Sequence, residues 1–235
     1  MDKLDTVNNI GLIRNALEHA MFELGSKKRS SFRIAKESRD ILYRSLIEAL
    51  KGSANLAVTG ARKGIRSHKY QYYQQPWKEI HQTPIEGCEH AWRFSEPKPC
   101  EQPAMPKVDP NKRRRDDYLI GFYDALGMAQ TECFMLHFTH SKVVGCADKE
   151  MRILEWLHEN IRNEYEHFVP KTYAAPIYDL LVASELSLRL SIQLLFESGN
   201  VIHDGTQYEL RVMFEQFLKA VKQEIEKLTA PQGTS

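Results

Sequence analysis

Proline is spread so unevenly along this chain that it divides the sequence into three parts. Seven of the ten prolines (Pro76, Pro84, Pro97, Pro99, Pro103, Pro106 and Pro110) fall between residues 53 and 112. Proline removes a backbone donor and clashes with the preceding turn, so no long helix crosses that stretch. On both sides of it, apolar residues recur at threes, fours and sevens, the spacing of one helix face. The expected order is therefore helices, a long non-helical excursion, then helices again.

Before the excursion, Leu4, Val7, Ile10, Leu17, Met21 and Leu24 form one stripe that Gly25 and Ser26 end. Ser30 or Ser31 can cap a second helix carrying Phe32, Ala35, Leu42, Leu46 and Ala49, closed by Gly52. The short connection predicts an antiparallel pair. The excursion itself holds Trp77, Trp92 and the run Tyr70-Gln71-Tyr72-Tyr73. A disordered linker is poor in such residues, so it reads as ordered to about residue 95 and looser from Pro97 to Lys112.

After it, Tyr118, Phe122, Leu126, Ala129, Cys133, Leu136 and His140 predict one helix from Arg113 to about Ser141. A further helix runs from Ala147 to His167 through Met151, Leu154, Leu157 and Ile161, and Pro170 stops it. Residues 176–197 are apolar around most of their circumference, which marks a central helix or a subunit contact. Leu210, Met213, Phe214, Phe217, Val221, Ile225 and Leu228 define the last helix. The expected class is all-α: one domain over 1–235, about six helices, 53–112 as an insertion or long ordered loop, and a flexible tail at 230–235.

Composition narrows the function classes. Of 235 residues, 42% are hydrophobic and 27% charged, as in ordinary globular proteins. Lysine and arginine number 32 against 31 acidic residues, so no global field draws in nucleic acid, and such binding must use a local patch. No apolar run approaches the ~18–20 residues of a membrane span. Met1 to Asp5 leads into an amphipathic segment rather than a signal peptide, and Cys88, Cys100, Cys133 and Cys146 include no C-x-x-C pair. The expectation is a cytoplasmic protein with free thiols, no membrane and no cofactor. Phosphate-loop and zincin motifs are absent.

The most informative run is Glu159-Asn160-Ile161-Arg162-Asn163-Glu164-Tyr165-Glu166-His167-Phe168-Val169-Pro170-Lys171. Pro170 places His167 in the last helical turn, where unpaired carbonyls favour imidazolium and bring its titration to hand for proton transfer at neutral pH. Arg162 offers forked donors to a phosphate. Five helical residues turn roughly 140°, so the two side chains converge only across a bent helix or a second subunit. The pair Arg14-Asn15 with His19 repeats the pattern mid-helix, far from any terminus or proline, and serves as its decoy.

Arg162-Asn163-x-x-x-His167, late in a helical chain and followed by Phe168-Val169-Pro170-Lys171, resembles the HEPN superfamily. Ala16-Leu17-Glu18-His19 and Leu46-Ile47-Glu48-Ala49-Leu50 look like the front half of such domains. The resemblance implies a HEPN-like helical bundle, often a homodimer with two arginine–histidine motifs across one cleft, and in many members a metal-independent endoribonuclease. It implies that the RNA 2′-hydroxyl attacks its own phosphate to give a cyclic phosphate. His167 would shuttle the proton, Arg162 stabilise the phosphate charge, and Asn163 orient either group. It also suggests a bacterial stress or phage-defence role with a neutralising or regulatory partner. Val169 stands where a toxin branch carries tyrosine, which sets that partner in doubt. Some HEPN domains only bind RNA or a nucleotide, and a helical interaction protein is a third reading.

Further candidates surround this motif. Lys171 continues it. Arg62, Lys63, Arg66 and Lys69, interleaved with Tyr70, Tyr72 and Tyr73, can hold phosphates while bases stack. Arg113, Arg114 and Arg115 can grip a backbone, as can Lys27-Lys28-Arg29 with Arg33. His81, Cys88, His90 and Cys100 are metal-capable, but their spacing matches no familiar zinc knuckle; Cys133, His137 and His140 lie at helical spacings that can bring all three to one side of a core-facing helix, where such residues are more often packed than ligating, and no metal is expected.

Overall fold

The computed structural model describes residues 8–51, 58–60, 84–85, 88–92, 118–161, 174–202, 205 and 207–230, with backbone alone at 59–60, 84–85, 88–92, 118 and 133. Helix dominates these residues. In chain order the elements are α1 (Asn9–Gly25), α2 (Ser31–Leu50), β1 (Thr59–Gly60), β2 (Pro84–Ile85), β3 (Cys88–Trp92), β4 (Tyr118–Leu119), α3 (Phe122–Ala129), α4 (Glu132–Met135), α5 (Asp148–Leu157), α6 (Ile177–Ile192) and α7 (Gln207–Thr229). The all-α expectation holds, with two small antiparallel strand pairs besides, β1 with β4 and β2 with β3.

Side-chain caps set the first two helix starts. Asn8 accepts from the Gly11 backbone N–H at 2.7 Å, and Ser30 accepts from Arg33. Asn9 Nδ2 donates to the Arg44 carbonyl at 3.1 Å and to Glu48 at 2.9 Å, so the start of α1 lies against the end of α2. The pair is antiparallel, as its short connection predicts. The expected closure at Gly52 and the stripe residues Leu4 and Val7 lie outside the described residues; Lys51, whose N–H donates to the Ile47 carbonyl, caps α2.

α2 and α6 form the centre because each is apolar on more than one side. Ile34 and Ile41 of α2 join Leu181, Leu188 and Leu195 in a core with α1 and α7. Leu42, Leu46 and Leu50 face the other way, with Leu186 and Leu190, into a core with α3, α4 and α5. Small residues accompany that central pair: Ser38, Ser45, Ser184, Ser187 and Ser191 are all wholly buried. Four of these hydroxyls donate to the carbonyl four residues back, at 2.7–2.8 Å, which satisfies them without a partner helix. Of the two expectations for residues 176–197, the central helix is the one observed. A π-type turn, Gln193–Glu197, extends it.

The stretch from Arg113 to Ser141 departs from the single helix its apolar spacing predicts. Tyr118–Leu119 is strand, and Gly121, with no capping side chain, starts α3. At the end of α3, Gln130 Nε2 and Thr131 Oγ1 donate back to the carbonyls of Leu126 and Gly127, at 3.2 and 3.1 Å. The backbone tightens there as well, the Gln130 and Thr131 N–H groups donating to the carbonyls three residues back, Gly127 and Met128, at 3.2 and 3.0 Å, and only a single turn, α4, follows. Apolar spacing does not register such a tightened last turn.

Thr59 pairs with Leu119 and Gly60 with Tyr118, and the Ile120 N–H donates to the Val58 carbonyl at 2.9 Å. The chain that leaves the helices after α2 thus comes back beside its own point of departure. This brings the start of α3 against α2, where the recess described below forms.

Candidate functional site

Arg39 sits on α2 seven residues before Leu46 and three before Leu42, in the apolar stripe itself. It is buried, with a relative exposure of 6%. A guanidinium in such a place needs partners, since burying an unpaired charge costs several kcal/mol. Asp40 accepts from Nη1 at 2.6 Å, and Lys36 bonds the other Asp40 oxygen at 3.0 Å. The guanidinium carbon also lies 5.6 Å from the ring centres of both Tyr43 and Phe122, in cation–π range.

The remaining partner is His158. It follows the last residue of α5 at seven residues from Met151 and four from Leu154, so it too occupies an apolar stripe. Arg39 Nη2 lies 3.2 Å from His158 Nδ1. A guanidinium has no acceptor, so Nδ1 must accept and the ring proton sits on Nε2. His158 is thereby a neutral imidazole in a defined tautomer. Its ring stacks on Phe122, centres 4.7 Å apart and planes 12° from parallel. Beyond it the chain widens into a π-type turn through Ile161, which is wholly buried beside Ala35, Leu157, Leu180 and Ala183.

Around this pair lies a half-open recess of about 520 Å³, within the range of small-molecule sites. Tyr43, Phe122 and Tyr123 give it aromatic walls, and Arg39, Asp124, His158 and Glu159 give it polar ones. The Tyr43 hydroxyl donates to the Ile120 carbonyl, fixing α2 to the β4–α3 junction. Burial pushes the Tyr123 phenol well above its ordinary value; Glu159 and Glu155 reinforce the shift, and Arg39 opposes it. Tyr123 therefore stays protonated, and its hydroxyl donates to the Glu155 carbonyl at 3.5 Å. The recess has charge of both signs, a neutral imidazole and no described nucleophile. Cys146 lies elsewhere, and burial, then Glu150, pushes its thiol up to about 12, so it is unreactive.

Arg162, Asn163, His167 and Lys171 lie outside the described residues, as do Arg62, Lys63, Arg66, Lys69, Arg113, Arg114 and Arg115. The same holds for Tyr70, Tyr72, Tyr73, His81 and Cys100, and for the side chains of Cys88, His90 and Cys133. The decoy pair is a surface feature: Arg14 lies 3.7 Å from Glu209, and His19 is exposed. The basic turn before α2 is ion-paired, Arg29 with Glu224 and Arg33 with Glu23. His137 and His140 fall in turns after α4 rather than on a helix face, and no group of three metal-capable side chains gathers among the described residues. Arg39 and His158 were not among the sequence candidates. The signal for both was a polar residue at a stripe position.

No family model matches the chain, and no curated protein or solved structure is similar enough to match it. Among the described residues, no helix is long and apolar enough to cross a membrane.

Proposed function

We propose that this chain is a HEPN-like protein that acts on single-stranded RNA, as a metal-independent endoribonuclease. The observation that carries the reading is one of position. His158 and Glu159 line the recess, and Arg162 follows His158 by only four residues in the sequence. A built polar recess thus lies directly before the Arg162-Asn163-x-x-x-His167 run that suggested the family. In this reading the 2′-hydroxyl attacks the adjacent phosphorus and the 5′-oxygen leaves, giving a 2′,3′-cyclic phosphate and a 5′-hydroxyl. His167 moves the proton, Arg162 stabilises the phosphorane charge, and Asn163 orients one of them. A homodimer, a regulatory partner and a role in bacterial defence belong to the same proposal. The middle of α6 is enclosed by its own protomer, so pairing has to use another surface.

A second reading, a module that binds RNA or a nucleotide without turnover, is favoured by one feature. Nδ1 of the described histidine in the recess is already taken by Arg39, so it offers no free base at that atom. Cleavage of end-labelled single-stranded RNA in EDTA separates the two. The wild type and His19→Ala should cut alike and leave cyclic phosphate ends, while His167→Ala loses the activity. Binding with no turnover in the wild type selects the second reading.

A further inference from the structure

We propose that the Arg39–His158 contact is a proton-operated latch, which holds the walls of the recess together at neutral pH and lets them part in weak acid. Three elements meet at this contact. α2 brings Arg39, the end of α5 brings His158, and α3 brings Phe122, whose ring touches both. The guanidinium carbon lies 5.6 Å from the Phe122 ring centre, and the imidazole stacks on it at 4.7 Å. Arg39 Nη2, at 3.2 Å, can donate to His158 Nδ1 only while that nitrogen has a lone pair to offer. A proton on Nδ1 sets N–H against N–H and brings two cations into contact, on residues that are each 6% exposed. The conflict is local to Nδ1 and holds whatever Nε2 bonds.

Arg39 cannot relieve it by giving up a proton. The guanidinium keeps Asp40 at Nη1, but its buried Nε has no hydrogen-bond partner. Losing His158 as well leaves most of a buried cation unpaired, so the two side chains have to separate. Among the described residues, the charged and titratable groups around the ring come from three elements. They are Arg39 on α2, with Asp40 and the Lys36 bound to it, Tyr123 and Asp124 on α3, and Glu155 and Glu159 at the end of α5. Burial and the guanidinium favour the neutral ring where it stands; the neighbouring carboxylates favour a charged ring once it has left Arg39. The contact is therefore whole above the ordinary histidine range and is lost as pH falls through it. The latch acts on the recess whatever occupies it, so the RNA reading can fail without it.

The test is ring-nitrogen NMR of the histidine-labelled full chain from about pH 7.5 down to about pH 5, with amide hydrogen exchange followed in parallel. His158, assigned from His158→Asn, should hold Nδ1 unprotonated at the upper end and become doubly protonated within the range. As it does, exchange at residues 154–158, corrected for the intrinsic effect of pH, should quicken at least about tenfold. Arg39→Gln keeps a donor for Nδ1, and its amide can turn its oxygen to a charged ring. In that variant His158 should titrate at least about one pH unit higher, and exchange should no longer follow its charge. The oxygen of His158→Asn can accept from Arg39 with no proton to gain, so its corrected exchange should be level across the range. A ring already doubly protonated at the upper end, one still neutral at the lower end, or a titration that leaves exchange unchanged overturns the proposal. So does corrected exchange in His158→Asn that still follows pH as in the wild type.

Discussion

Two phenylalanine–histidine stacks occur among the described residues. His158 lies on Phe122 at 4.7 Å with planes 12° apart, and His140 lies on Phe138 at 5.7 Å and 7°. The ring geometry is nearly the same, but the surroundings are opposite. His158 is 6% exposed, fixed by a guanidinium, and set where α2, α3 and α5 meet. His140 and Phe138 are exposed on a turn, held by Ser141 and Asn200 hydroxyl and amide groups 2.6 Å apart. Stacking by itself therefore says little about a histidine's role. Both pairs line a recess, but a fixed tautomer needs a buried partner with a single hydrogen-bonding sense, and Arg39 is that partner for His158.

Breaking the buried pair should have the largest effect. Arg39→Ala removes the donor to His158 and the cation between two rings, and should cost roughly 3 kcal/mol in urea denaturation. A loss below about 1 kcal/mol would make the two stacks equivalent. On the exposed side, backbone matters more than the rings. Gly199 has φ +75°, and a Cβ there would sit 2.6 Å from His140 Cδ2. Gly199→Ala should cost about 1–2 kcal/mol. Adding His140→Ala should recover the clash but not the backbone strain.

Cys146 reports on the same contrast through its reactivity, because it packs on the core that contains Phe122. Its folded thiol ionises near 12 against an ordinary 9.0, so its contribution to stability is whole below 9 and is lost as pH rises toward 12. Alkylation at pH 8, followed by peptide mass, should find it protected in the wild type. Arg39→Ala should speed its labelling about tenfold, the counterpart of about 1.4 kcal/mol in local opening. His140→Ala should leave that rate alone and change stability by less than about 0.5 kcal/mol, the smallest effect in the series.

Much of the helical frame was legible in the residues. Ser30 announces the start of α2, the break at Gly25-Ser26 fixes the turn, and the wide apolar coverage of residues 176–197 marks a helix enclosed on several sides. The helix expected over 113–141 failed because Tyr118–Leu119 pairs as strand with Thr59–Gly60 and the backbone tightens at Gln130 and Thr131, a long-range pairing and a local turn that a stripe of apolar spacings cannot show. The recess was illegible for a different reason. Arg39 and His158 stand 119 positions apart, and neither belongs to a motif. Each interrupts an apolar stripe, which marks a buried polar group but not its partner; the pairing emerges only once β1 and β4 bring the start of α3 to α2.

The claim that this recess serves RNA is tested most directly by ring-nitrogen NMR of the histidine-labelled His167→Ala chain, titrated with a short single-stranded RNA. His158 and His140 would be assigned from single glutamine variants. The His158 ring signals should shift saturably, with Nδ1 still unprotonated, while those of His140 stay in place. Movement of His140 alone, or of neither ring, would contradict the account.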